Sequence, residues 1–374
     1  MMRKLLLFLG LCCGIATASQ AAFEDTNFSK YRYTVFHARY YQSSNYFYVA
    51  PLVYTVTGEG VVSVAGADLN VAEIDVPETV SYDGAEYRVT GIHGYAFQWC
   101  KDLVRLSLPK SVEYIYTSTT QEKTVYHSGP FLGCKQLKTI ECKAMKAPAF
   151  WNSDAKGRNL FRDLVEGVEI STPAGSDYTS WAPYVNGLQL HAKANAAGWA
   201  GFYLNKDVKL ASAGVAASIL KADGDTETID GQIPAGTPVL LKAQANADIV
   251  LITVPADVEN APNVEANVLA GTLTDITAQK NGEWYVLSAA QPATNLFEPV
   301  AAGDVIKKNT VYLPQVALSQ NAVKALAKSY QPTGVGSVKQ TTDKDDVYYD
   351  LSGRKVKSAS KGIYIQKGKK TYRQ

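Results

Sequence analysis

The chain has 374 residues, is 46% hydrophobic and 10% aromatic, and carries 23 Tyr, 28 Gly and a formal charge of +2. That length accommodates two or three domains with real apolar cores, and the supply of Tyr, Val, Thr and Gly favours β structure over helix. Two of the five cysteines lie at positions 12 and 13, so a scaffold built on disulfides is excluded.

Met1-Met2-Arg3-Lys4 is followed by an apolar run over residues 5–16 and then by Ala18-Ser19-Gln20-Ala21-Ala22. This is the three-part layout of a secretory signal peptide, so residues 1–21 are expected to be removed, and Cys12 and Cys13 with them. The run is too short to span a bilayer comfortably and no later segment is long and apolar enough, so no membrane span is expected. Losing Arg3 and Lys4 brings the charge to zero. Residues 353–374 hold eight Lys or Arg and no acid, which leaves the body between at −8. Nucleic-acid binding needs clustered cations to neutralise phosphates, so no nucleic-acid partner is expected.

Residues 28–64 alternate aromatic and polar side chains, as in Tyr46-Phe47-Tyr48-Val49 and Val53-Tyr54-Thr55-Val56, then turn at Gly58-Glu59-Gly60 into Val61-Val62-Ser63-Val64. That pattern reads as β hairpins. Period-two alternation puts about half of the tyrosines on a core face, and the rest could offer rings to a sugar or a protein.

Self-comparison is informative from there on. Phe97, Cys100, Leu103 and Leu106 recur as Phe131, Cys134, Leu137 and Ile140, all displaced by 34 positions. These are read as the structural positions of a repeat. Ile74-Asp75-Val76, Leu106-Ser107-Leu108, Ile140-Glu141-Cys142 and Ile170-Ser171-Thr172 each place small or apolar residues at i and i+2, on one face of an extended strand. Spaced 32, 34 and 30 residues apart, they predict four short parallel rungs sharing a core. A proline follows three of the rungs, where the donor it removes is not needed.

The segment IDVPETVSYDGAEYRVTGIHGYAFQWCKDLVRLSLPKSVEYI, with GPFLGCKQLKTIEC after it, resembles the BspA-type leucine-rich repeats of bacterial surface proteins, and ISTPAGSDYTSW is similar to the segment that closes such arrays. The resemblance covers residues 71–190. It departs from the family in having two clear "F..C..L" units, an insert over 116–128, and Gly129-Pro130-Phe131 in place of Ala-Phe. It implies a leucine-rich-repeat region with residues 22–70 as an amino-terminal β cap, which would protect the first rung's open edge.

From Trp199 to about Tyr330, short β-rich runs alternate with turns: GFYL, ASIL, PAGTPVLLKA, ADIVLITVP, EWYVL and NTVYLP. They predict an all-β sandwich-like domain over 191–332, and the stretch resembles a β-sandwich module that often follows such repeats. Residues 319–329 have a local helical pattern, but the resemblance places a last strand there, and the strand is the reading adopted. Residues 333–346 read as a polar linker. The tail, 347–374, reads as a small β hairpin with solvated lysines. It is also similar to the carboxy-terminal tails of secreted Bacteroidetes proteins, some of which are sorting signals for type IX secretion, and both readings stay open.

Chemistry is sparse. His37, His93, His127 and His191 stand singly, and no zinc, phosphate-loop, dinucleotide or Gly-x-Ser-x-Gly pattern occurs. Cys100 and Cys134 occupy equivalent repeat positions and Cys142 an inward rung position, so buried inert thiols are expected. The run from Asp223 to Gly231 has the acids of a calcium loop without Gly at its sixth or Glu at its twelfth position, and reads as a solvated turn. The fold is therefore expected to be mainly β: a short leucine-rich-repeat solenoid with a β cap, then a sandwich-like domain and a small carboxy-terminal hairpin. The expected role, through the resemblance, is a non-catalytic recognition protein, secreted or on the outer surface of a Gram-negative bacterium, with no cofactor. Its partner would be a host-matrix or bacterial-surface protein held by the repeat face, with Tyr46, Tyr48, Tyr95, Trp99 and Lys101 as contacts. The alternative is an accessory protein binding a glycan through the sandwich and surface aromatics.

Overall fold

The computed structural model describes residues 46–94, 96–116, 129–151, 161, 163–257, 259–288 and 296–315, and in the tail 348–349, 355–356, 362–366 and 369–373. The expected signal peptide, residues 22–45 of the expected cap, Tyr95, all of the 116–128 insert but Tyr116, the strand expected over 319–329 and the expected linker lie outside the described residues. The chain divides into two compact units, Met1–Tyr330 and Gln331–Gln374. It is nearly all β, and among the described residues no helix is long and apolar enough to cross a membrane.

The first unit opens with an antiparallel meander of β1 (Tyr46–Val49), β2 (Leu52–Gly58) and β3 (Val61–Ala67). Alternation sorts its aromatics as pleating requires. Phe47 and Tyr54 face the main core, where Phe47 stacks on Tyr82 at 4.4 Å between ring centroids, while Tyr46 and Tyr48 pack on Val53 and Ala65. The repeat region then alternates between two walls. One wall is made of β4 (Glu73–Asp75), β7 (Arg105–Leu108), β9 (Thr139–Cys142) and β11 (Glu169–Ser171). The other holds β6 (Ala85–Ile92), which pairs with β5 (Thr79–Tyr82), then β8 (Tyr114–Tyr116) and β10 (Ala149–Trp151).

The first wall is a four-stranded parallel sheet in the order β11-β9-β7-β4, with Ile74, Leu106, Ile140 and Ile170 in one register. In the second wall β3 pairs in parallel with β6, so the meander and the array share one seven-stranded sheet. No separate joint is needed between cap and repeats, because the cap's last strand supplies the edge on which the first repeat pairs.

The turns between walls carry the aromatic and thiol layers. Phe97, Cys100, Leu103, Phe131, Cys134 and Leu137 are all buried, and the Phe97 and Phe131 rings stack 6.1 Å apart at 5°. Each thiol reaches back one layer: Cys134 Sγ donates to Phe97 O at 3.0 Å and Cys100 Sγ to Asp68 O at 3.7 Å. Tyr178 and Trp181, both buried, close the far end with Phe150 and Phe161, and Trp181 Nε1 donates to Pro148 O.

Eight further strands follow: β12 (Gln189–Lys193), β13 (Trp199–Phe202), β14 (Val208–Leu210), β15 (Ala216–Leu220), β16 (Thr226–Ile229), β17 (Gln232–Ile233), β18 (Val239–Lys242) and β19 (Asp248–Thr253). They form two antiparallel sheets, β12-β19-β14-β17 and β13-β18-β15-β16. This layer is fused to the array. Leu188 bridges Ile170, and the buried Thr253 hydroxyl accepts from Leu188 N while donating to Val185 O. One apolar cluster consequently runs from Phe47 to Leu251.

β20 (Ala270–Thr272), β21 (Ile276–Thr277), β22 (Trp284–Leu287), β23 (Phe297–Pro299), β24 (Val305–Ile306) and β25 (Thr310–Pro314) form two further sheets, β20-β25-β22-β23 and β21-β24; they share one apolar cluster with Leu220 of β15 and Leu240 of β18 and hold a second, around Ala278, Val300 and Ile306, within their own stretch. The region read from sequence as sandwich-like holds these sheets packed in succession, with β15 and β18 contributing Ile219 and Leu241 to the main cluster and Leu220 and Leu240 to the next. The stretch between β19 and β20, VPADVENAPNVEANVL over 254–269, is rich in Pro, Asn and acids and supplies no strand among its described residues. In the second unit β28 (Gly362–Gln366) and β29 (Lys369–Arg373) make the expected hairpin, which β26 (Tyr348–Tyr349) and β27 (Lys355–Val356) extend to four strands in the order β27-β26-β28-β29.

Candidate functional site

Two surfaces of the array are built by repetition. On the first wall, strand pairing aligns Glu73, Arg105, Thr139 and Glu169 in one outward row and Asp75, Ser107, Glu141 and Ser171 in the next. Arg105 ties the rows together: Nη1 lies 3.1 Å from Asp75 and 3.7 Å from Glu73, and Nη2 lies 3.0 Å from Glu141. The Glu141 hydrogen bond, and then the Asp75 charge, hold its guanidinium above the ordinary range. Ser107, under this clamp, is 1% exposed and its hydroxyl lacks a hydrogen-bond partner.

The second surface is the ridge of turns. Trp99 and Gly133 are equivalent under the 34-residue offset, and both have left-handed backbones, at φ 65° and 80°. Trp99 N donates to Leu132 O at 2.6 Å, locking the two turns together. Lys101 and Lys135, equivalent under the same offset, are exposed. Tyr48 approaches this ridge through Asp68, a buried residue that takes the Tyr48 hydroxyl on its carboxylate at 3.2 Å and the Cys100 thiol on its backbone carbonyl.

Of the residues singled out from sequence, Trp99 and Lys101 sit on the turn ridge, Tyr46 and Tyr48 on the outer face of the meander, half-buried, and Tyr95 lies outside the described residues. Sequence reasoning passed over Arg105, Asp68, Gly133 and Lys135. The signals for the last two were present, because the offset that pairs Phe97 with Phe131 also pairs Trp99 with Gly133 and Lys101 with Lys135. Arg105 occupies an outward rung position that the i, i+2 pattern also defines.

Burial pushes the Cys134 and Cys142 thiols up to about 12, and Cys100 higher still. His191 lies at the joint with the following layer, Nδ1 2.8 Å from Asp248 Oδ2 and Nε2 3.0 Å from Thr172 O, as a structural clasp. Asp223 accepts from Asp225 N in the exposed turn between β15 and β16, an arrangement of a solvated turn. Among the described residues no group of three or more His, Cys, Asp and Glu could hold a metal ion.

No family model and no curated protein matches the chain. Solved structures similar to it include a leucine-rich repeat protein from Bacteroides ovatus, 20% identical with a TM-score of 0.25, covering 38% of this chain and 33% of that one. Another is a leucine-rich repeat protein from Bacteroides capillosus, 17% identical at 0.24, covering 34% and 99%. A leucine rich cell surface protein from Faecalibacterium prausnitzii is 14% identical at 0.25, covering 36% and 44%. The match spans about a third of the length of the first of these. All three are repeat proteins of the kind that the motifs in residues 71–190 resemble.

Proposed function

We propose that the chain is a non-catalytic recognition protein, secreted or held on the outer surface of a Gram-negative bacterium, which binds an extracellular protein of host matrix or bacterial surface through its repeat array. The observation that carries this reading is the in-register stacking of four rungs. It repeats outward side chains at about 4.8 Å across an open face, a surface suited to a macromolecule more than to a small substrate. The deeply protonated thiols support a role without nucleophilic chemistry. Tyr46, Tyr48, Tyr95, Trp99 and Lys101 are the proposed contacts. Passing the full chain over immobilised matrix proteins tests this: saturable binding to one of them should weaken at least tenfold in Lys101→Glu and in Tyr46→Ala/Tyr48→Ala. Binding unaffected by either variant and by Arg105→Ala on the rung face would reject the repeat array as the contact.

A second reading, that the partner is a glycan, is favoured by one observation, the exposure of the Trp99 indole on the turn ridge. A flat aromatic face beside cationic side chains suits a sugar ring as well as it suits a protein.

A further inference from the structure

A stack of rungs has two ends, and each end leaves a strand whose outer backbone groups face away from the stack. At the far end that edge is closed, since Ile170 N donates to Gly187 O at 2.8 Å and Ile170 bridges Leu188. At the near end the cap closes the second wall, where β3 pairs with β6. It also meets the turn ridge. Asp68 and Val71 stand 32 residues before Cys100 and Leu103, the spacing that separates Ile74 from Leu106, so residues 68–71 are the first turn of the array. The Tyr48 hydroxyl of the meander joins that turn through the Asp68 carboxylate.

The first wall ends differently. Its sheet stops at β4, and among the described residues no strand pairs with the outer edge of β4. Arg105 N donates to Ala72 O at 3.1 Å and Val76 N to Ser107 O at 3.0 Å, so the backbone groups of residues 72, 74 and 76 point at β7. Strand alternation then turns the N–H and C=O of Glu73 and Asp75 toward the open edge. Their side chains stand on the outward face, 67% and 64% exposed, and Arg105 meets both from the β7 side. A strand added at the edge would lie about 4.8 Å away on their other side and place side chains at i and i+2 beside the two carboxylates. The two outward rows hold Glu73, Asp75, Glu141 and Glu169 against Arg105, so acid is in excess across the face. Charge of one sign on an edge strand repels acidic strands and admits basic ones.

We infer that the outer edge of β4 binds an extended basic segment of a partner protein as a further rung, with backbone hydrogen bonds to Glu73 and Asp75 and with Lys or Arg at i and i+2 against their carboxylates. This rests on the reading of the array as a protein-binding surface and adds the edge that is used and the chemistry of the partner.

The test is calorimetric titration of the full chain at low salt with a heptapeptide of alternating Lys and Val, the same peptide with Glu for Lys, and the Lys peptide N-methylated throughout. The expected result is saturable binding of the Lys peptide, at least tenfold weaker binding of the other two, and at least a tenfold loss in Glu73→Pro and in the Glu73→Lys/Asp75→Lys pair. Glu73→Pro removes an amide that faces away from the sheet, so the fold is retained and its melting temperature checks this. The Lys pair leaves the backbone unchanged and keeps the test independent of that substitution. An N-methylated peptide bound as tightly as its parent would overturn the backbone pairing, and a Glu peptide bound as tightly would overturn the charge selection. No binding of the Lys peptide, or binding that survives both variants, would overturn the site. Matrix-protein binding that both variants leave intact would also overturn it, while leaving the reading of the array standing. A full chain that sediments as a dimer, and as a monomer in both variants, would assign the edge to a second copy and overturn the foreign partner.

Discussion

Position 99 shows how one residue can be read twice. Its aromatic character is visible in the sequence, but its left-handed backbone shows only through the 34-residue offset, which pairs it with a glycine of the same conformation that also lies against its ring. Trp99→Gly should be more stable than Trp99→Ala by about 1 kcal/mol, since both lose the ring but alanine keeps the left-handed cost; urea midpoints of the two variants measure the difference. The thiols are simpler, and their burial was legible from equivalent repeat positions. Cys134 and Cys142 rise from 9.0 to about 12 and Tyr54 from 10.0 to about 12, all by burial. The unfolded chain ionises first, so the associated stability is complete below pH 9 and is lost as pH climbs toward 12, on the order of a few kcal/mol per thiol. Denaturant titrations at pH 8, 10 and 11 should show that fall, and a stability flat to pH 11 would contradict the buried-thiol layers.

Among the elements, the rungs were legible because a pleated strand imposes a period of two and the parallel register aligns equivalent residues, as Ile74, Leu106, Ile140 and Ile170 do. The second wall was less visible. β8 and β10 are three residues each, and their pairing partners are dictated by the stacking of layers rather than by any local pattern. Ile140 lies at the centre of the rung sheet and is 2% exposed, so Ile140→Ala should cost about 2–5 kcal/mol, read from thermal or urea unfolding. Turn coupling has a sharper signature. Gly133→Ala introduces a Cβ against the Trp99 ring, so its cost should shrink in the Trp99→Gly background, with a coupling energy of about 0.5–3 kcal/mol in a double-mutant cycle. Additive effects would show that the two turns do not pack as described.

Across the whole first unit, domain boundaries drawn on sequence separate what packing joins. The shift from repeats to sandwich at residue 190 follows a real change of pattern, yet the buried cluster continues through it, and the Thr253 hydroxyl closes the end of the array by accepting from Leu188 N and donating to Val185 O. Thr253→Val should cost about 1–3 kcal/mol by leaving Leu188 N and Val185 O without that partner. It should lower a single transition for the repeats and the adjoining layer together, as seen by hydrogen exchange. The packing of the strands over 270–314 on Leu220 and Leu240 went unseen because alternation reports which face is buried, not against which sheet. The central claim, that recognition belongs to the repeat array, is tested most directly by hydrogen exchange of the full chain with and without its tightest binder from a panel of matrix proteins and glycans. The account predicts protection over the turns at 97–103 and 131–137 and the adjoining rungs; protection confined to the β layers over 199–314 would contradict it.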